Sequence, residues 1–319
     1  MISVRRFRKG DEKGIVQLGH LLFPNFYFPF TQWQWRHYFD KKRIVVAVDE
    51  SNTIVGHWAY LRRSLVSQGK RFAAGISLSA MVHPSWQGKG VFSQIGKMLF
   101  KIARNEGVKL LFGFPNDLSM PIHSHLGFVA IRSYFIYNLL HFVQKHSRED
   151  ACFSFMPTRV CHPVSHTYAG QDAVHLIKNQ RYLAWRYGEK PQSNYFAYTI
   201  HGQHKRKGYA VWKLYPREDG TTHMQLIDVD IHTQFHEKFA EELFSFWQKL
   251  AKKKGANTLS LWGQGIGSIE DRIIDQYGFQ KNNSKTFHLM AKGISITQKE
   301  MRILQETPWN IKMGDTEIF

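Results

Sequence analysis

Ser79-Ala-Met-Val-His-Pro-Ser-Trp-Gln-Gly-Lys-Gly-Val-Phe-Ser-Gln-Ile-Gly96 reads as a strand end, a glycine loop and a helix start. Ile76 to Val82 is a buried-strand run that Pro84 stops. Gln87, Gly88, Lys89 and Gly90 form a tight loop. From Val91 the apolar residues Val91, Ile95, Met98, Leu99 and Ile102 recur at helical spacing. Glycines, lacking a Cβ, let backbone N–H groups converge on one concavity. The helix start behind them adds unpaired N–H groups and the positive end of its dipole. Together they suit a phosphate or pyrophosphate, and Lys89 adds a point charge. The loop is not a Walker loop, because Gly90 follows Lys89, nor a dinucleotide fingerprint, because Gly-x-Gly-x-x-Gly is absent. On its own residues it also fits a plain strand-to-helix turn.

Composition sets the bounds. The chain has 319 residues, room for two domains, and 43% of them are hydrophobic, enough for packed cores. A net charge of +18 favours anionic partners: a nucleotide cofactor, an anionic glycan, nucleic acid or a membrane surface. It reads equally as a solvated basic surface. Cys152 and Cys161 have neither metal-like spacing nor the numbers for a disulfide framework, which points to a reducing compartment. The start, Met1-Ile-Ser-Val-Arg-Arg, lacks the apolar core of a signal peptide. The longest apolar run, Tyr134 to Val143, is broken by Asn138 and His141 and is too short to cross a bilayer. The expectation is a cytoplasmic protein without a membrane partner.

Taken in order, Ile2 to Phe7 alternates like a strand, and Asp11 is placed to cap a helix running to Leu22. Phe23 to Trp35 is dense in aromatics, fit for a pocket wall or for a lid packed on the core. Arg43 to Val48 and Ile54 to Leu61 read as a hairpin around Glu50-Ser-Asn-Thr, and Val66-Ser-Gln-Gly-Lys is another turn. The long helix ends near Asn105 with Gly107 as its C-terminal cap. Leu110 to Phe114 is a buried strand, and Phe128 to Leu140 supplies one long strand or a strand pair. Residues 144 to 165, polar and proline-containing, read as a linker.

The second half repeats the first. Trp35-Arg36 before the strand at 43 to 48 corresponds to Trp185-Arg186 before a strand at 195 to 200. A hairpin strand, a long strand, a long helix, a glycine, another strand and a short helix follow in both, ending in Gly127-Phe128 and Gly278-Phe279. In the second half the long strand leads into Asp230-Ile-His-Thr-Gln-Phe-His with no glycine loop, and Asp228 and Asp230 stand where a phosphate would be repelled.

The order Val-His-Pro-x-x-Gln-Gly-Lys-Gly-Val before a long helix resembles motif A of the GNAT acyltransferases, and Leu110-Leu-Phe-Gly-Phe-Pro-Asn116 with Gly127-Phe128 resembles that family's next strand and its Gly-Phe ending. The resemblance covers most of the first half. It implies an α/β fold with two GNAT-like domains, each a mixed, mostly antiparallel sheet flanked by helices. The first, 1–143, would bind acetyl-CoA. After the linker 144–165 would come a degenerate domain, 166–300, and a tail, 301–319. The resemblance also implies that Met81, Val82, His83, Gln87, Gly88, Lys89, Gly90, Val91 and Phe92 line the cofactor site, with a backbone N–H near Met81 and Val82 facing the thioester oxygen. Asn116 would bond the pantetheine arm. Phe92 departs from the family's Gly or Ala there.

Acyl transfer to an amine needs an oxyanion donor, a proton acceptor for the amine and an acid for the thiolate. The family's acid is often a Tyr at the position that His123 occupies, and a histidine can donate a proton near neutral pH. In Eis-like tandem members the terminal carboxylate is the base, which would place Phe319 at the site. His57 is a further candidate base. No metal is expected. The function implied is acetyl-CoA-dependent acylation of a small amine such as an amino sugar. The alternatives are a non-enzymatic module for anionic ligands, or transfer from an acyl carrier protein or aminoacyl-tRNA. No nucleic-acid motif is present, so no nucleic-acid partner is expected.

Overall fold

The computed structural model describes residues 1–24, 29–38, 41–140, 142, 151–159, 161–163, 173–203, 205–231 and 236–316. Phe26, Tyr27 and Phe28, residues 144–150, 160, 164 and 165 of the linker, and Phe319 lie outside these residues.

The chain forms two compact units: Met1–Val66 with Lys70–Arg132 and His288–Thr307, and Ser67–Gly69 with Ser133–Phe287 and Pro308–Phe319. Each therefore contains segments remote in sequence, unlike the contiguous division 1–143 and 166–300.

In the first half the elements are β1 (Ser3–Arg6), α1 (Asp11–Leu22), α2 (Phe30–Arg36), β2 (Ile44–Val48), β3 (Ile54–Ser67), β4 (Lys70–Val82), α3 (Val91–Asn105), β5 (Leu110–Gly113), α4 (Met120–His125) and β6 (Val129–Leu139). The second half gives β7 (Ser154–Pro157), β8 (Val174–Leu176), α5 (Gln180–Leu183), β9 (Tyr195–Gly202), β10 (Lys205–Pro216), β11 (Thr222–Ile231), α6 (His236–Lys253), β12 (Thr258–Gly263), α7 (Ile269–Tyr277), β13 (Gln280–Gly293), α8 (Gln298–Glu306) and β14 (Trp309–Asn310).

The first unit's sheet runs β1-β2-β3-β4-β5-β13. β1 and β2, and β2 and β3, pair antiparallel, while β4 and β5 are parallel. Gln68 and Gly69, both with positive φ, turn β3 into β4. The sheet is completed from far along the chain: Met290 to Gly293 of β13 pairs antiparallel with Leu110 to Gly113. The apolar stripe of α3, Val91, Ile95, Leu99, Ile102 and Ala103, packs on Val45, Ala47, Val55, Trp58 and Tyr60. Gly107 (φ 70°) follows the end of α3, as expected of a C-terminal cap. At α1 the expected cap is corrected: Gly10 holds the cap position, and Asp11, inside the first turn, accepts from the Arg8 N–H at 2.7 Å and from the Arg5 guanidinium.

The second unit's sheet runs β6-β12-β11-β10-β9-β7, with β11 and β12 parallel. Trp212, Phe239, Phe244 and Trp247 are fully buried in its core. β14 pairs parallel with β8.

Candidate functional site

The two parallel strands of the first unit part company. Their ladder is Ala74↔Leu110, Gly75↔Leu111 and Ile76↔Phe112, yet β4 continues to Val82. Three residues past the last pair, Ser79 takes a φ of 51°, a left-handed conformation that a non-glycine residue enters at a cost of about 1–2 kcal/mol. Two side chains hold it there. The Nδ1–H of His57 donates to the Ser79 carbonyl at 2.7 Å, and an Arg36 Nη1–H donates to the Ser79 hydroxyl at 2.9 Å. The strand end beyond this irregularity, without a β5 partner, leads straight into the glycine loop.

The loop is built as the sequence demands. His83 donates its N–H to the Val55 carbonyl, and its Nδ1 accepts from the Ser85 N–H, which starts a short turn through Pro84–Trp86. Gln87 sends its amide back to the Val82 carbonyl at 3.1 Å, tying loop to strand. Gly88 (φ 74°) and Gly90 (φ 73°) are both left-handed, and a Cβ on either would meet nothing within 4 Å. Their freedom serves backbone conformation and an open approach, not internal packing. Gln94 is the first residue of α3 whose N–H finds an intrahelical acceptor, the Gly90 carbonyl, so Val91, Phe92 and Ser93 carry the helix's unpaired donors. No acidic residue lies in that first turn. Lys89 sits over the Trp86 ring at 5.1 Å. Phe92 packs its ring on Trp58 (4.4 Å) and His123 (5.5 Å), so its bulk goes toward the core. Met81 and Val82 are both buried.

Asn116 closes the turn before α4, its Oδ1 accepting from the N–H of Ser119, the N-cap of that helix, at 2.9 Å. The residue is exposed, and its side-chain N–H donors remain for another partner. His123 is buried among Trp58, Phe92 and Phe128. Its Nδ1 lies 2.8 Å from the Ser119 carbonyl, which fixes the proton on Nδ1 and leaves Nε2 with a lone pair. Burial lowers its pKa, only partly offset by the Ser119 bond. At neutral pH the imidazole is therefore an uncharged acceptor at Nε2, poorly suited to the donating role expected of it.

His57, the other histidine candidate, is completely buried, and burial brings its pKa down to about 4. Its Nε2 and both ring nitrogens of the neighbouring His37 are buried without a hydrogen-bond partner among the described residues. The rings of His37 and His57 lie 5.9 Å apart. Trp33 stands 5.1 Å from His37 and is fully buried, so this part of the aromatic stretch is packing. The Arg36–Ser79–His57 arrangement was not readable from sequence, because two of its bonds end on one residue that carries no motif.

In the second unit, Asp228 is fully buried and not a solvent-facing repellent charge: Lys178 Nζ lies 2.8 Å away, and the hydroxyls of Tyr187 and Tyr209 donate to it at 2.6 and 3.1 Å. Among the described residues no group of three or more His, Cys, Asp or Glu side chains is placed to hold a metal. No described helix is long and apolar enough to cross a membrane.

Residues 3–131 match the family model described as an acetyltransferase (GNAT) domain. Solved structures similar to the chain include a GCN5-related N-acetyltransferase from Anabaena variabilis (TM-score 0.66) and one from Kribbella flavida (TM-score 0.64). A conserved protein of unknown function from Enterococcus faecalis, described as a probable N-acyltransferase, is similar with a TM-score of 0.68. Each is 12% identical in sequence; the alignments cover 92% of this chain and 73%, 71% and 73% of theirs. At that identity the likeness establishes the fold. Comparison with curated proteins gave no sequence match.

Proposed function

We propose, from a chain whose residues 3–131 carry a GNAT-type acyltransferase domain, that it transfers an acetyl group from acetyl-CoA to the amine of a small molecule. One observation carries the cofactor half of this reading: Gly88 and Gly90, both left-handed and with open space where a Cβ would stand, lead directly into the unpaired start of a helix with no acid in its first turn. Such a site takes a pyrophosphate through N–H groups and dipole, with Lys89 adding charge. The residues present fit the cosubstrate. Bound there, it supplies a thioester carbon for attack by the amine.

The chain's own groups then divide the work. The N–H of His83 points to β3, since it donates to Val55. Alternation along a strand therefore turns the Val82 N–H to the side from which β5 has departed. This favours Val82 over Met81 as the donor to the developing oxyanion. The free amide donors of Asn116 suit the pantetheine arm. His123, neutral with a lone pair on Nε2, orients a donor and is not the thiolate's acid in the resting state. A role for Phe319 remains a proposal, outside the described residues. The acceptor class proposed is an amino sugar or similar amine, since a +18 protein does not draw in a polycation.

The test is calorimetric titration of acetyl-CoA into the wild type and Gly90→Glu. The substitution puts a strained residue at a φ of 73° and a carboxylate in the anion site. The expected outcome is binding by the wild type and a loss of at least about 100-fold in the variant, the product of backbone strain and charge repulsion. Equal affinity removes the loop assignment. A wild type that ignores acetyl-CoA but accepts acyl carrier protein or aminoacyl-tRNA moves the donor to those classes. Thiol release against a panel of amino sugars and other small amines then identifies the acceptor.

A further inference from the structure

The second unit repeats the strand geometry of the first. Its parallel ladder is His223↔Thr258, Met224↔Leu259 and Gln225↔Ser260, three pairs as between β4 and β5. β11 then continues to Ile231, and its register against β10 slips between Val211↔Asp228 and Trp212↔Leu226. The irregularity thus falls at Ile227 and Asp228, the latter three residues past the last parallel pair. Ser79 holds the same place in β4. In the first unit this is where the strand opens beside the proposed cofactor site.

At that point in the second unit the chain meets itself. The short turn Met313–Asp315 packs on β11, and every residue from Ile311 to Thr316 is buried. Four recognitions hold it. Lys312 Nζ bonds both oxygens of the buried Glu270, at 2.7 and 2.8 Å. Gly314 is required by space, since a Cβ would fall on the Tyr187 hydroxyl and 3.0 Å from Ile227 Cγ2. Asp315 takes Lys178 Nζ at 3.0 Å and the Tyr182 hydroxyl at 3.1 Å. The Arg186 guanidinium donates to the carbonyls of Gly314 (2.5 Å) and Thr316 (3.1 Å), while its Nη1 also donates to the Tyr195 hydroxyl (3.0 Å). Upstream, Trp309 and Asn310 add a parallel strand to β8, the ladder of a peptide joining a sheet edge.

We propose that the bulged region of β11 is a peptide-binding site that reads Lys-x-Gly-Asp, and that Lys312–Thr316 of this chain is its resident ligand. The donor set fits a peptide and not a phosphate. Its buried guanidinium gives two of its bonds to carbonyls of the segment and one to the Tyr195 hydroxyl, its lysine is shared between two carboxylates, and Glu270 demands a cation. The second unit then uses its opened strand for self-recognition, where the first uses it for acetyl-CoA. A corollary, which rests on the cofactor reading above, is one acetyl-CoA per chain.

Hydrogen exchange followed by mass spectrometry on the full chain is the primary test, comparing wild type with Gly314→Val. In the wild type, peptides spanning 308–316 should exchange as slowly as β11 and β12. In the variant they should exchange at least about tenfold faster, while peptides of β3, β4 and α3 stay unchanged. Fast exchange of 308–316 in the wild type, or unchanged protection in the variant, overturns the proposal. Should Gly314→Val unfold the second unit, Gly314→Ala paired with Tyr187→Phe gives a second reading. Removing the hydroxyl should recover part of the protection that Gly314→Ala loses, and no recovery counts against the proposal. A labelled peptide of residues 309–316 should bind the displaced variant and not the wild type; binding to neither overturns the site. Acetyl-CoA titration alongside keeps the two ideas apart. Absence of binding by the wild type defeats the cofactor reading and its corollary while exchange still decides the peptide site, and two equivalents per wild-type chain defeat the corollary directly.

Discussion

Ser79 holds a left-handed φ because His57 and Arg36 grip its carbonyl and hydroxyl. The grip has a protonation state. His57 donates from Nδ1 and is neutral, its pKa brought down to about 4, chiefly by burial and further by Arg36. His37 beside it is lowered too, by burial first and then by His57, Arg36 and Lys41. A histidine that folds neutral contributes stability fully present above its unfolded pKa of about 6.5, and loses it as pH falls toward the folded value. Between about pH 6.5 and 4, His57 alone should cost the fold on the order of 3 kcal/mol, at about 1.36 kcal/mol per unit. Urea denaturation at pH 7, 6 and 5 should show this slope in the wild type and a shallower one in His57→Leu. His57→Asn, which can still donate to Ser79 from its amide, should keep acetyl-CoA affinity within about threefold, whereas His57→Leu should lose about tenfold, the weight of one buried hydrogen bond. Equal affinities in the two variants would show that His57 does not position the strand. Nothing in the sequence around His57 announces a bond to a main-chain carbonyl 22 residues away. The glycines of the loop, by contrast, were legible because a left-handed backbone restricts which residue can stand there.

The unpaired start of α3 is useful only if the helix is held where the strand end can serve the same ligand. Two glycines set that distance. A Cβ on Gly56 of β3 would come within 2.6 Å of Ile95 Cδ1 and 3.2 Å of Val91 Cγ1. One on Gly96 would reach 2.9 Å from Trp58 Cζ3. Helix and sheet approach as closely as a missing side chain on each permits. Gly56→Val should push the first turn of α3 outward, costing about 1–3 kcal/mol by overpacking. It should also weaken acetyl-CoA binding, although residue 56 lies on a strand outside the loop. Calorimetry and thermal unfolding together check this; destabilisation with unchanged affinity would separate helix position from the anion site. The helix itself was readable from its 3.6-residue apolar period. The strands were readable in kind but not in extent: β3 runs to Ser67 and β4 starts at Lys70, well outside the apolar cores at 54–61 and 76–82. A long hairpin continues on backbone pairing through polar residues such as Arg62, Arg63 and Arg71, which give no apolar alternation to read.

Across the whole chain, sequence order and spatial membership separate. The recurring Trp-Arg and Gly-Phe pairs raise the expectation of two similar halves, and each unit holds one parallel ladder of three pairs. What the repeat concealed is which strand closes the first sheet. Met290 to Gly293 pairs with Leu110 to Gly113, and Met290 and Ile294 enter the core beneath α3. Ladder pairing is made by backbone groups that every residue carries, so a partner strand so remote along the chain leaves no local mark in sequence. The same holds for Lys178, Asp228 and Asp315, which meet from three distant segments. If the late strand belongs to the first unit, Ala291→Pro strikes that unit. Proline removes a ladder N–H and does not fit a central strand. Ala291 is fully buried opposite Phe112. Hydrogen exchange should then show lost protection in β4, β5 and α3, with weakened acetyl-CoA binding, while β10, β11 and β12 keep theirs. Lost protection in β10 to β12 with an intact first sheet would assign residue 291 to the second unit and overturn the division. The point matters for acylation, because β5 flanks the opening beside Val82, and a sheet missing its late strand leaves β5 without a fixed position from which to diverge.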